Sequence, residues 1–498
     1  MGERFILAID QGTTGTRAIA YDGNAHVVSQ SYRQLTQYYP RPGWVEHDPE
    51  EIWQSCLFVV KETLTKSGLK PEKIEAIGVT NQRETTLIWD RHTGEPVYKA
   101  IVWQCRRTAP RCDELISKGL EGLIKKRTGL VIDPYFSATK IGWILDKVPE
   151  ARKKAERGEI VFGTVDSWLL WKLTGGAAHL TEYTNASRTM LFNIHKLEWD
   201  AELLDLFQIP RKMLPSARPS GSIFGYTVKN GPLSSGIPIA AVLGDQQAAL
   251  FGQIGFNSGM AKNTYGTGCF LLLNLGKKSP APPKGLVVTL ACDGEGKPTY
   301  ALEGSVFMAG AAVQWLRDGL GLIKKAKDTE EVAERVKDTG GVYMIPAFTG
   351  LGAPYWDSSA RGAILGISRG TKKDHIIRAT LESIAYQTRD VLEVMEANAK
   401  QKLKKLRVDG GAAKNDFLMQ FQSDILGIPV ERPALLETTA LGAALLAGLT
   451  IGFWKNKEEL THLWKREASF RPQMDNERRE TLYGGWKKAV SRVLSKEA

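Results

Sequence analysis

Cysteine is scarce in this sequence, and no motif makes use of it. The 498 residues include five cysteines, odd in number and widely spaced: Cys56, Cys105, Cys112, Cys269 and Cys292. Because there is no C-x-x-C pair and no H-E-x-x-H, the sequence predicts neither a disulfide framework nor a metal cage built from protein ligands. A glycosylation sequon at 185–187 has no secretion signal to accompany it and is interpreted as a chance match.

Long apolar runs are missing as well. The apolar run at 5–9 is too short for the core of a signal peptide, so we predict the first strand of a cytoplasmic protein. The longest apolar stretch, 440–454, is rich in glycine and shorter than the roughly 18–20 residues of a membrane span. We therefore expect a buried helix there and no membrane-spanning segment.

The net charge of +11 is not concentrated in any one segment. Lysine and arginine total 66 against 55 acidic residues and are spread along the whole chain, without a dense basic tail or an aromatic–basic repeat. This distribution does not favour nucleic acid as a partner. A basic protein that handles a polyanionic nucleotide explains the charge more simply.

The pattern of the chain predicts an α/β protein of two domains. Its length exceeds what one hydrophobic core organises, and strand-like runs at 74–79, 238–243 and 403–408 alternate with helix-like segments such as 375–395. A hairpin with a Gly/Thr turn occurs at 5–21 (hairpin 1) and again at 260–273 (hairpin 2). This repeat indicates two domains of related topology that face each other, 1–250 and 251–498.

Common phosphate-binding motifs are absent, which leaves the two hairpins as candidates. No Gly-Lys-Ser or Gly-Lys-Thr occurs, nor a G-x-G-x-x-G after a strand. Glycine turns let backbone N–H groups approach a phosphate, while hydroxyls can add donors and a carboxylate at the end of a strand can hold Mg²⁺ through water. The candidates are Thr13, Thr14 and Thr267 as donors, Asp10 for Mg²⁺, and Arg17 for charge on the transferring group. Two ordinary hairpins remain the alternative.

Two further polar segments follow predicted strands. Asp245 lies where the strand at 238–243 gives way to a helix, which favours its ionised form and a role as general base; an N-cap aspartate is the alternative. Arg83 and Glu84 follow the strand at 74–79 and suit a polyol, with a surface ion pair as the alternative. Trp103 and Phe270 can supply an apolar wall, and the turn at 408–412 can lie against a base or ribose.

Taken in order, these residues resemble the FGGY family of carbohydrate kinases, whose fold is related to that of actin, hexokinase and the Hsp70 ATPase domain. Segments 135–143 and 362–382 look like the long family signatures. Motifs at 42–49, 81–85, 102–106, 244–247, 263–270 and 348–356 are typical of members that phosphorylate glycerol. The resemblance covers essentially the whole chain. It implies two actin-like (ribonuclease H-like) domains around a central cleft, and ATP-dependent, Mg²⁺-dependent formation of sn-glycerol 3-phosphate in glycerol catabolism.

The resemblance also implies roles for individual residues. Asp245 would be the general base, and Asp10 would organise Mg²⁺. Contacts to glycerol would come from Arg83, Glu84, Trp103, Tyr135, Asp245, Gln246 and Phe270. The phosphates would meet Thr13, Thr14, Arg17, Gly266 and Thr267, and the adenosine would lie along Gly310, Gln314, Gly411 and Asn415.

Assembly, control and two rival functions complete the expectations. Relatives form dimers or tetramers, so a homo-oligomer is implied. Some relatives are inhibited by fructose 1,6-bisphosphate through an arginine, or phosphorylated on a histidine, near the strand at 239–243; residues 230–236 contain no arginine and 222–238 no histidine, so neither control is expected. The rivals are a family kinase for another polyol or a ketopentose, and an ATP-driven switch protein of the actin and Hsp70 class.

Overall fold

Two large β-sheets, one from each half of the chain, form the framework of the protein. The computed structural model describes residues 4–229, 231–281, 283–357 and 359–495. Asn230, which belongs to the segment 230–236 that lacks a regulatory arginine, lies outside the described residues. Helices cover the sheets, and the predicted two-domain α/β class is confirmed.

The first sheet contains hairpin 1. Its strands, in the residues described, are β1 (Phe5–Gln11), β2 (Gly15–Tyr21), β3 (Val27–Gln34), β4 (Ile74–Asn81), β5 (Gly225–Tyr226) and β6 (Pro238–Gly244). They lie in the order β5-β6-β4-β1-β2-β3. Strands β1 and β2 are antiparallel with Asp10 opposite Arg17, so the predicted hairpin is confirmed. Strand β4 runs parallel to both β1 and β6, which brings the carboxyl ends of all three to one edge of the sheet.

The second sheet contains hairpin 2. Its strands, within the described ranges, are β7 (Ala261–Tyr265), β8 (Cys269–Gly276), β9 (Val287–Cys292), β10 (Pro298–Val306), β11 (Leu406–Asp409), β12 (Val430–Pro433) and β13 (Arg466–Phe470). Their order is β9-β10-β8-β7-β11-β12-β13. Strands β7 and β8 are antiparallel, with Tyr265 opposite Cys269 at the turn, and β7 runs parallel to β11. Both predicted hairpins therefore form, each beside a parallel strand.

The principal helices that pack around the two sheets come from both halves of the chain. They are α1 (Pro49–Ser67), α2 (Ser137–Lys147), α3 (Asp245–Gly252), α4 (Gly310–Asp318), α5 (Lys373–Ala399), α6 (Asp416–Leu426) and α7 (Thr438–Thr450). Other helices are Ala109–Ser117, Glu121–Thr128, Ala151–Arg157, Val165–Leu173, Tyr183–Ala186, Ala201–Phe207, Asp328–Glu334, Lys457–Leu463 and Asn476–Ser491. Short strand pairs are Glu46–His47 with Ala100–Ile101, Leu87–Asp90 with Ile160–Gly163, Leu180–Glu182 with Ser216–Arg218, Phe192–Asn193 with Glu198–Trp199, and Tyr343–Ile345 with Ala363–Leu365.

Helices α3 and α7 are exchanged between the two sheets. Helix α3 follows β6 of the first sheet, yet Leu250 packs on the second sheet against Leu272. Helix α7 lies between β12 and β13 of the second sheet in the chain, yet it packs on the first sheet, where a Cβ on Gly78 would lie 2.2 Å from the Ala443 carbonyl oxygen. The predicted buried helix at 440–454 is thus confirmed as α7, which is apolar all round because both faces are covered.

The two exchanged helices also touch each other directly. A Cβ on Gly442 would lie 1.9 Å from the backbone oxygen of Ala248, so only glycine allows the two backbones to come this close. Asp245 begins one of these helices and Glu437 precedes the other. Within the described ranges we find no helix that is both long and apolar enough to cross a membrane.

Candidate active site

Three aromatic rings from distant segments meet between the two sheets. The ring of Trp103 lies 5.4 Å from that of Tyr135 and 6.4 Å from that of Phe270, centroid to centroid, in edge-on geometry. Phe270 lies on β8, whereas Trp103 and Tyr135 come from loops of the first half. Trp103 and Phe270, proposed from the sequence as an apolar wall, thus lie side by side in a cluster shared by both halves of the chain, while a substrate contact stays a prediction.

Arg83 and Glu84 lie beside this wall and are buried. Their side chains are each 2% exposed, which excludes the alternative of a surface ion pair. Both follow β4, and Glu84 adopts a left-handed backbone conformation with φ of 60°, which is costly for a residue with a side chain. Such strain persists where the surroundings hold it in place, and the Glu84 carbonyl accepts a 3.0 Å bond from the Ser137 hydroxyl at the start of α2.

Two buried residues that the sequence analysis missed complete the charges around this pair. The Glu303 carboxylate on β10 accepts bonds from Arg83 Nη1 at 2.5 Å and Nη2 at 3.0 Å. Arg188 donates from Nε to Glu84 Oε1 at 2.6 Å and from Nη2 to Glu303 Oε1 at 2.9 Å. Arg83, Glu84, Arg188 and Glu303 thus form a ring of alternating charge, which we call the charge ring.

The pKa values of the two glutamates diverge within the charge ring. Burial alone would raise the pKa of Glu303, but the guanidinium groups of Arg188 and Arg83 overcome it and hold the pKa at about 2. Burial raises the pKa of Glu84 against the opposing pull of the same two arginines. The ionised form is therefore favoured at Glu303, whereas burial disfavours the ionised form of Glu84.

Asp245 is the first residue of α3, and Gly244 is its N-cap, which rules out the N-cap alternative for Asp245. Its Oδ1 lies 3.2 Å from Arg83 Nε and accepts a bond from the backbone N–H of Gln246. Burial raises the pKa of Asp245, and the charge of Arg83 opposes that rise. A carboxylate with a raised pKa is suited to accept a proton near neutral pH.

Gln246 contacts a buried lysine that the sequence analysis did not single out. Lys262 on β7 donates from Nζ to Gln246 Oε1, to Thr264 Oγ1 at 2.8 Å and to the Phe270 carbonyl at 3.2 Å. Burial lowers the pKa of Lys262 to about 8. Because Oε1 of Gln246 is occupied, its amide N–H groups are the part that remains for a ligand.

A second buried lysine supports Tyr135. Lys140 on α2 donates from Nζ to the carbonyls of Pro134, Tyr135 and Phe136 at 3.0, 2.7 and 2.9 Å. Its fully buried ammonium therefore holds in place the backbone segment that carries the Tyr135 side chain. Lys140 lies inside the segment 135–143 that carried the family resemblance, but its spacing alone did not indicate this contact.

Hairpin 1 presents charged and hydroxyl side chains near this pocket. Burial raises the pKa of Asp10 to about 7, with Arg17 lowering it and Asp245 raising it. Arg17 forms a close ion pair with Glu437, just before α7, and its guanidinium lies 5.6 Å from the Tyr32 ring. In the turn, Thr13 Oγ1 accepts a 2.8 Å bond from Trp103 Nε1, and the Thr14 carbonyl is bonded by Leu35.

Hairpin 2 presents backbone and glycine at the corresponding place. The turn holds Gly266 and Thr267, and the carbonyl of Gly266 accepts a bond from Gly310, the first residue of α4, at 3.0 Å. Gln314 lies one turn further along α4 and is exposed. The turn residues of hairpin 2 and the start of α4 are thus joined by backbone hydrogen bonds into one edge, and their contacts to a nucleotide stay a prediction.

The turn after β11 reaches the same edge from the other side. A Cβ on Gly410 would lie 2.5 Å from the Tyr265 carbonyl oxygen, so this turn lies directly against hairpin 2 at Gly410, whereas a Cβ on the next residue, Gly411, would meet open space. Asn415 caps α6 by accepting a 2.8 Å bond from the Leu418 N–H, and it donates to Thr329 at 3.2 Å. Its side chain already has structural partners in addition to the predicted adenosine contact.

The arrangement joins an aromatic and charged pocket, suited to a polyol, with a glycine-lined edge suited to phosphates. A carboxylate near the aromatic rings, together with backbone donors in two Gly/Thr turns, can position an acceptor hydroxyl against a nucleotide, which is what phosphoryl transfer requires. Models of the FGGY family of carbohydrate kinases match residues 5–252 with the N-terminal domain and 261–451 with the C-terminal domain. The chain belongs to the FGGY family of carbohydrate kinases.

The individual proteins to which the chain is similar include glycerol kinases. The chain is 61% identical over 494 residues to glycerol kinase 2 of Thermotoga maritima, covering 99% of both chains. The crystal structure of Plasmodium falciparum glycerol kinase with ADP superposes with a TM-score of 0.92 at 39% identity, covering 99% of both chains. A gluconate kinase structure from Lactobacillus acidophilus shares the fold, with a TM-score of 0.87 at 22% identity over 99% of this chain and 98% of that one.

Proposed function

We propose that the protein is a glycerol kinase, which transfers the γ-phosphoryl group of ATP to a terminal hydroxyl of glycerol and releases sn-glycerol 3-phosphate and ADP. The observation that carries this proposal is the buried Arg83–Glu84 pair beside Asp245 and the three aromatic rings. Buried donors and acceptors suit hydroxyl groups, and aromatic faces suit a short carbon chain. The names of the similar proteins support the same substrate.

Each predicted contact to glycerol has a physical role in this proposal. Arg83 and Gln246 donate hydrogen bonds to hydroxyl oxygens, and Glu84 accepts one from a hydroxyl. Trp103, Tyr135 and Phe270 enclose the carbon atoms, with Tyr135 also offering its hydroxyl. We call these residues together with Asp245 the polyol pocket.

Asp245 acts as the general base. It takes the proton of the acceptor hydroxyl as that oxygen forms a bond to the γ-phosphorus and the bond from phosphorus to the bridging oxygen of ADP breaks. Its raised pKa places proton uptake nearer to neutral pH, where the carboxylate is still present to accept it. The rest of the catalytic effect is positioning and charge stabilisation, as in other phosphoryl transfers.

Asp10 suits a magnesium ion on its side of the cleft. Burial raises its pKa, and no hydrogen bond from the described residues reaches its carboxylate, so a divalent cation would relieve an unfavourable anion. Within the part of the chain that the structure describes, no group of three or more metal-ligating side chains comes together. An ion at Asp10 would therefore take its other ligands from water and the nucleotide phosphates, and it would neutralise charge during transfer.

The nucleotide lies along the edge formed by the two hairpins and α4. Thr13, Thr14, Gly266 and Thr267 meet the phosphates through backbone N–H groups and hydroxyls. Arg17 adds positive charge, which requires it to loosen its ion pair with Glu437. Gly310, Gln314, Gly411 and Asn415 line the adenosine.

The test is a coupled ADP-release assay with ATP and Mg²⁺, with and without glycerol, on wild type and Asp245→Asn. We expect glycerol-dependent turnover that falls by roughly 100-fold or more in the variant, because the base is lost. The same assay is run with the substrates of the rival kinases, and a panel of polyols and ketopentoses is compared with glycerol by kcat/KM. ADP release that does not depend on glycerol would place the protein in the ATP-switch class instead.

Assembly, location and the domain boundary belong to the same proposal. We expect a cytoplasmic homo-oligomer, dimer or tetramer, with one domain at 1–250 and the other at 251–498. Light scattering coupled to size exclusion measures the mass, and a monomer at working concentrations would contradict the expected assembly.

A further inference from the structure

Burying the four charges of the charge ring costs desolvation free energy that stability alone would not require. Arg83, Glu84, Arg188 and Glu303 have side chains between 0% and 2% exposed. Buried ion pairs seldom stabilise a fold more than apolar residues of the same volume would. A ring of four buried charges therefore indicates a task for the charges themselves.

We propose that Arg188 and Glu303 are positioning residues that decide which atoms of Arg83 and Glu84 meet the substrate hydroxyls. The inference rests on the proposed function, because it assigns these atoms to glycerol. Neither residue belongs to the polyol pocket, and each acts through a residue that does.

Glu303 fixes the guanidinium of Arg83. Its two oxygens take the terminal fork, Nη1 and Nη2, and Gln247 Oε1 takes the remaining hydrogen of Nη1 at 3.1 Å. Five N–H groups minus these three leave the lateral edge, which consists of Nε–H and one hydrogen of Nη2. That edge faces Asp245, whose Oδ1 lies 3.2 Å from Nε, so a hydroxyl held there lies within reach of the base.

Arg188 fixes the carboxylate of Glu84. Arg188 Nε occupies Oε1 of Glu84, while no hydrogen bond from the described residues reaches Oε2, which is left to accept a substrate hydroxyl. The same guanidinium bonds Glu303 through Nη2 and lies 5.4 Å from the Tyr135 ring, so it links three parts of the site. Lysine cannot replace it, because a single ammonium lacks the planar fork that spans two carboxylates.

The ring also joins the two halves of the chain. Glu303 belongs to β10 of the second sheet, whereas Arg83, Glu84 and Arg188 belong to the first half. The orientation of the hydroxyl-binding atoms is therefore set only when both halves are in contact.

The experiment compares wild type with Arg188→Lys, Arg188→Ala and Glu303→Gln, using glycerol and propane-1,2-diol, which lacks one terminal hydroxyl. We expect KM for glycerol to rise roughly 10- to 100-fold in each variant, since hydrogen bonds to charged groups are lost. KM for ATP stays within about threefold, because the nucleotide edge lies elsewhere. The preference for glycerol over the diol falls at least about tenfold, because the extra hydroxyl no longer meets an oriented partner.

Chemical rescue separates positioning from mere folding. Millimolar guanidinium chloride is expected to lower KM for glycerol in Arg188→Ala by occupying the vacated place between Glu84 and Glu303. Arg152→Ala, which removes an arginine far from the site that pairs with Asp146, is the matched control and shows no response. If Arg188→Ala does not fold, the isosteric Glu303→Gln and the charge-conserving Arg188→Lys carry the same comparison of KM and preference.

The outcomes are distinguishable from those of the proposed function. A lowered melting temperature with unchanged KM for glycerol, unchanged preference and no rescue would overturn the positioning role. Failure of the proposed function would be seen in the wild type, as ADP release that does not respond to glycerol.

Discussion

Hairpin 1 and hairpin 2 have the same backbone plan but offer different chemistry to a phosphate. Each has two antiparallel strands, a Gly/Thr turn and a parallel strand beside it. Hairpin 1 carries Asp10 and Arg17 opposite each other, whereas the turn of hairpin 2 offers Gly266 and Thr267 and is tied to Gly310 through backbone bonds. Toward a phosphate, hairpin 1 therefore offers charged side chains, whereas hairpin 2 offers backbone groups and a hydroxyl.

This difference predicts opposite sensitivities in the two halves. Removing a charge in the first half should impair catalysis, since charge stabilisation is lost. Adding a single carbon in the second half should impair nucleotide binding, since only glycine allows the backbones to approach. The following predictions test that division, from the largest expected effect to the smallest.

Asp10→Asn removes the charge of hairpin 1 with little change of shape. We expect kcat to fall roughly 100-fold or more, because the cation is no longer held against the phosphates. Initial rates over a Mg²⁺ titration measure the effect. Asp113→Asn, at an exposed position of the helix Ala109–Ser117, is the control. Equal kcat in wild type and Asp10→Asn would contradict the division.

Gly310→Ala adds one carbon to the edge of hairpin 2. Its Cβ would lie 2.5 Å from the Gly266 carbonyl oxygen, so α4 or the turn must shift. We expect KM for ATP to rise roughly tenfold from this overpacking, with KM for glycerol unchanged. Gly122→Ala, whose Cβ would meet nothing within 4 Å, is the control. A rise in KM for glycerol instead of ATP would refute the assignment of this edge.

Lys140→Met tests how the first half of the chain supports Tyr135. The variant leaves three buried carbonyls without their donor and frees the backbone of Tyr135. We expect KM for glycerol to rise about fivefold and the melting temperature to fall. Lys147→Met, at the solvent-facing end of the same helix, should change neither quantity.

The same lysine predicts a dependence on pH. Burial lowers the pKa of Lys140 from 10.5 to about 8, so between these values the unfolded chain holds a proton that the folded chain does not. The contribution of Lys140 to the free energy of unfolding therefore increases as pH rises from about 8 to 10.5. Over the same range, the Lys140 ammonium that holds the backbone of Tyr135 loses its charge. We expect KM for glycerol to rise above pH 8 in wild type, and less so in Lys140→Met. Superimposable pH profiles of the two proteins would contradict this role.

Thr13→Val tests the link between hairpin 1 and the polyol pocket, with the smallest expected effect. It removes the acceptor for Trp103 Nε1, a neutral hydrogen bond. We expect KM for glycerol to rise about threefold, with a smaller rise in KM for ATP because the backbone N–H of Thr13 can still meet the phosphates. A larger effect on ATP would mean that Thr13 acts mainly on the nucleotide. Thr93→Val, in an exposed turn, serves as the control.

Local patterns were enough to predict much of the fold. Both hairpins, the buried helix α7 and the strand–helix junction at Asp245 depend on residues close in sequence, and all were predicted correctly. The bounds shifted by a few residues: the helix predicted at 375–395 spans Lys373–Ala399, and the strand predicted at 403–408 begins at Leu406. End residues depend on capping and packing that periodicity does not reveal.

The partners of Arg83 and Glu84 could not be predicted. Glu303 lies 220 positions from Arg83, and nothing local marks it as different from other strand residues. Arg188 follows a segment that was noticed only as a sequon, yet Asn185 is buried and bonded to Asn81 and Glu182, so that segment has a structural role. A buried Arg–Glu pair does, however, predict that further buried hydrogen-bond partners must surround it, because buried charges are costly unless they are hydrogen-bonded.

The exchange of α3 and α7 determines how the polypeptide can be divided. A fragment ending near residue 250 would lack α7, and the face of its sheet that α7 covers would be exposed to water. The complementary fragment would lack α3 and expose Leu272 and its neighbours in the same way. The two halves are thus separate in architecture yet form one cooperative unit, and a split protein would have to reassociate before either half could be stable.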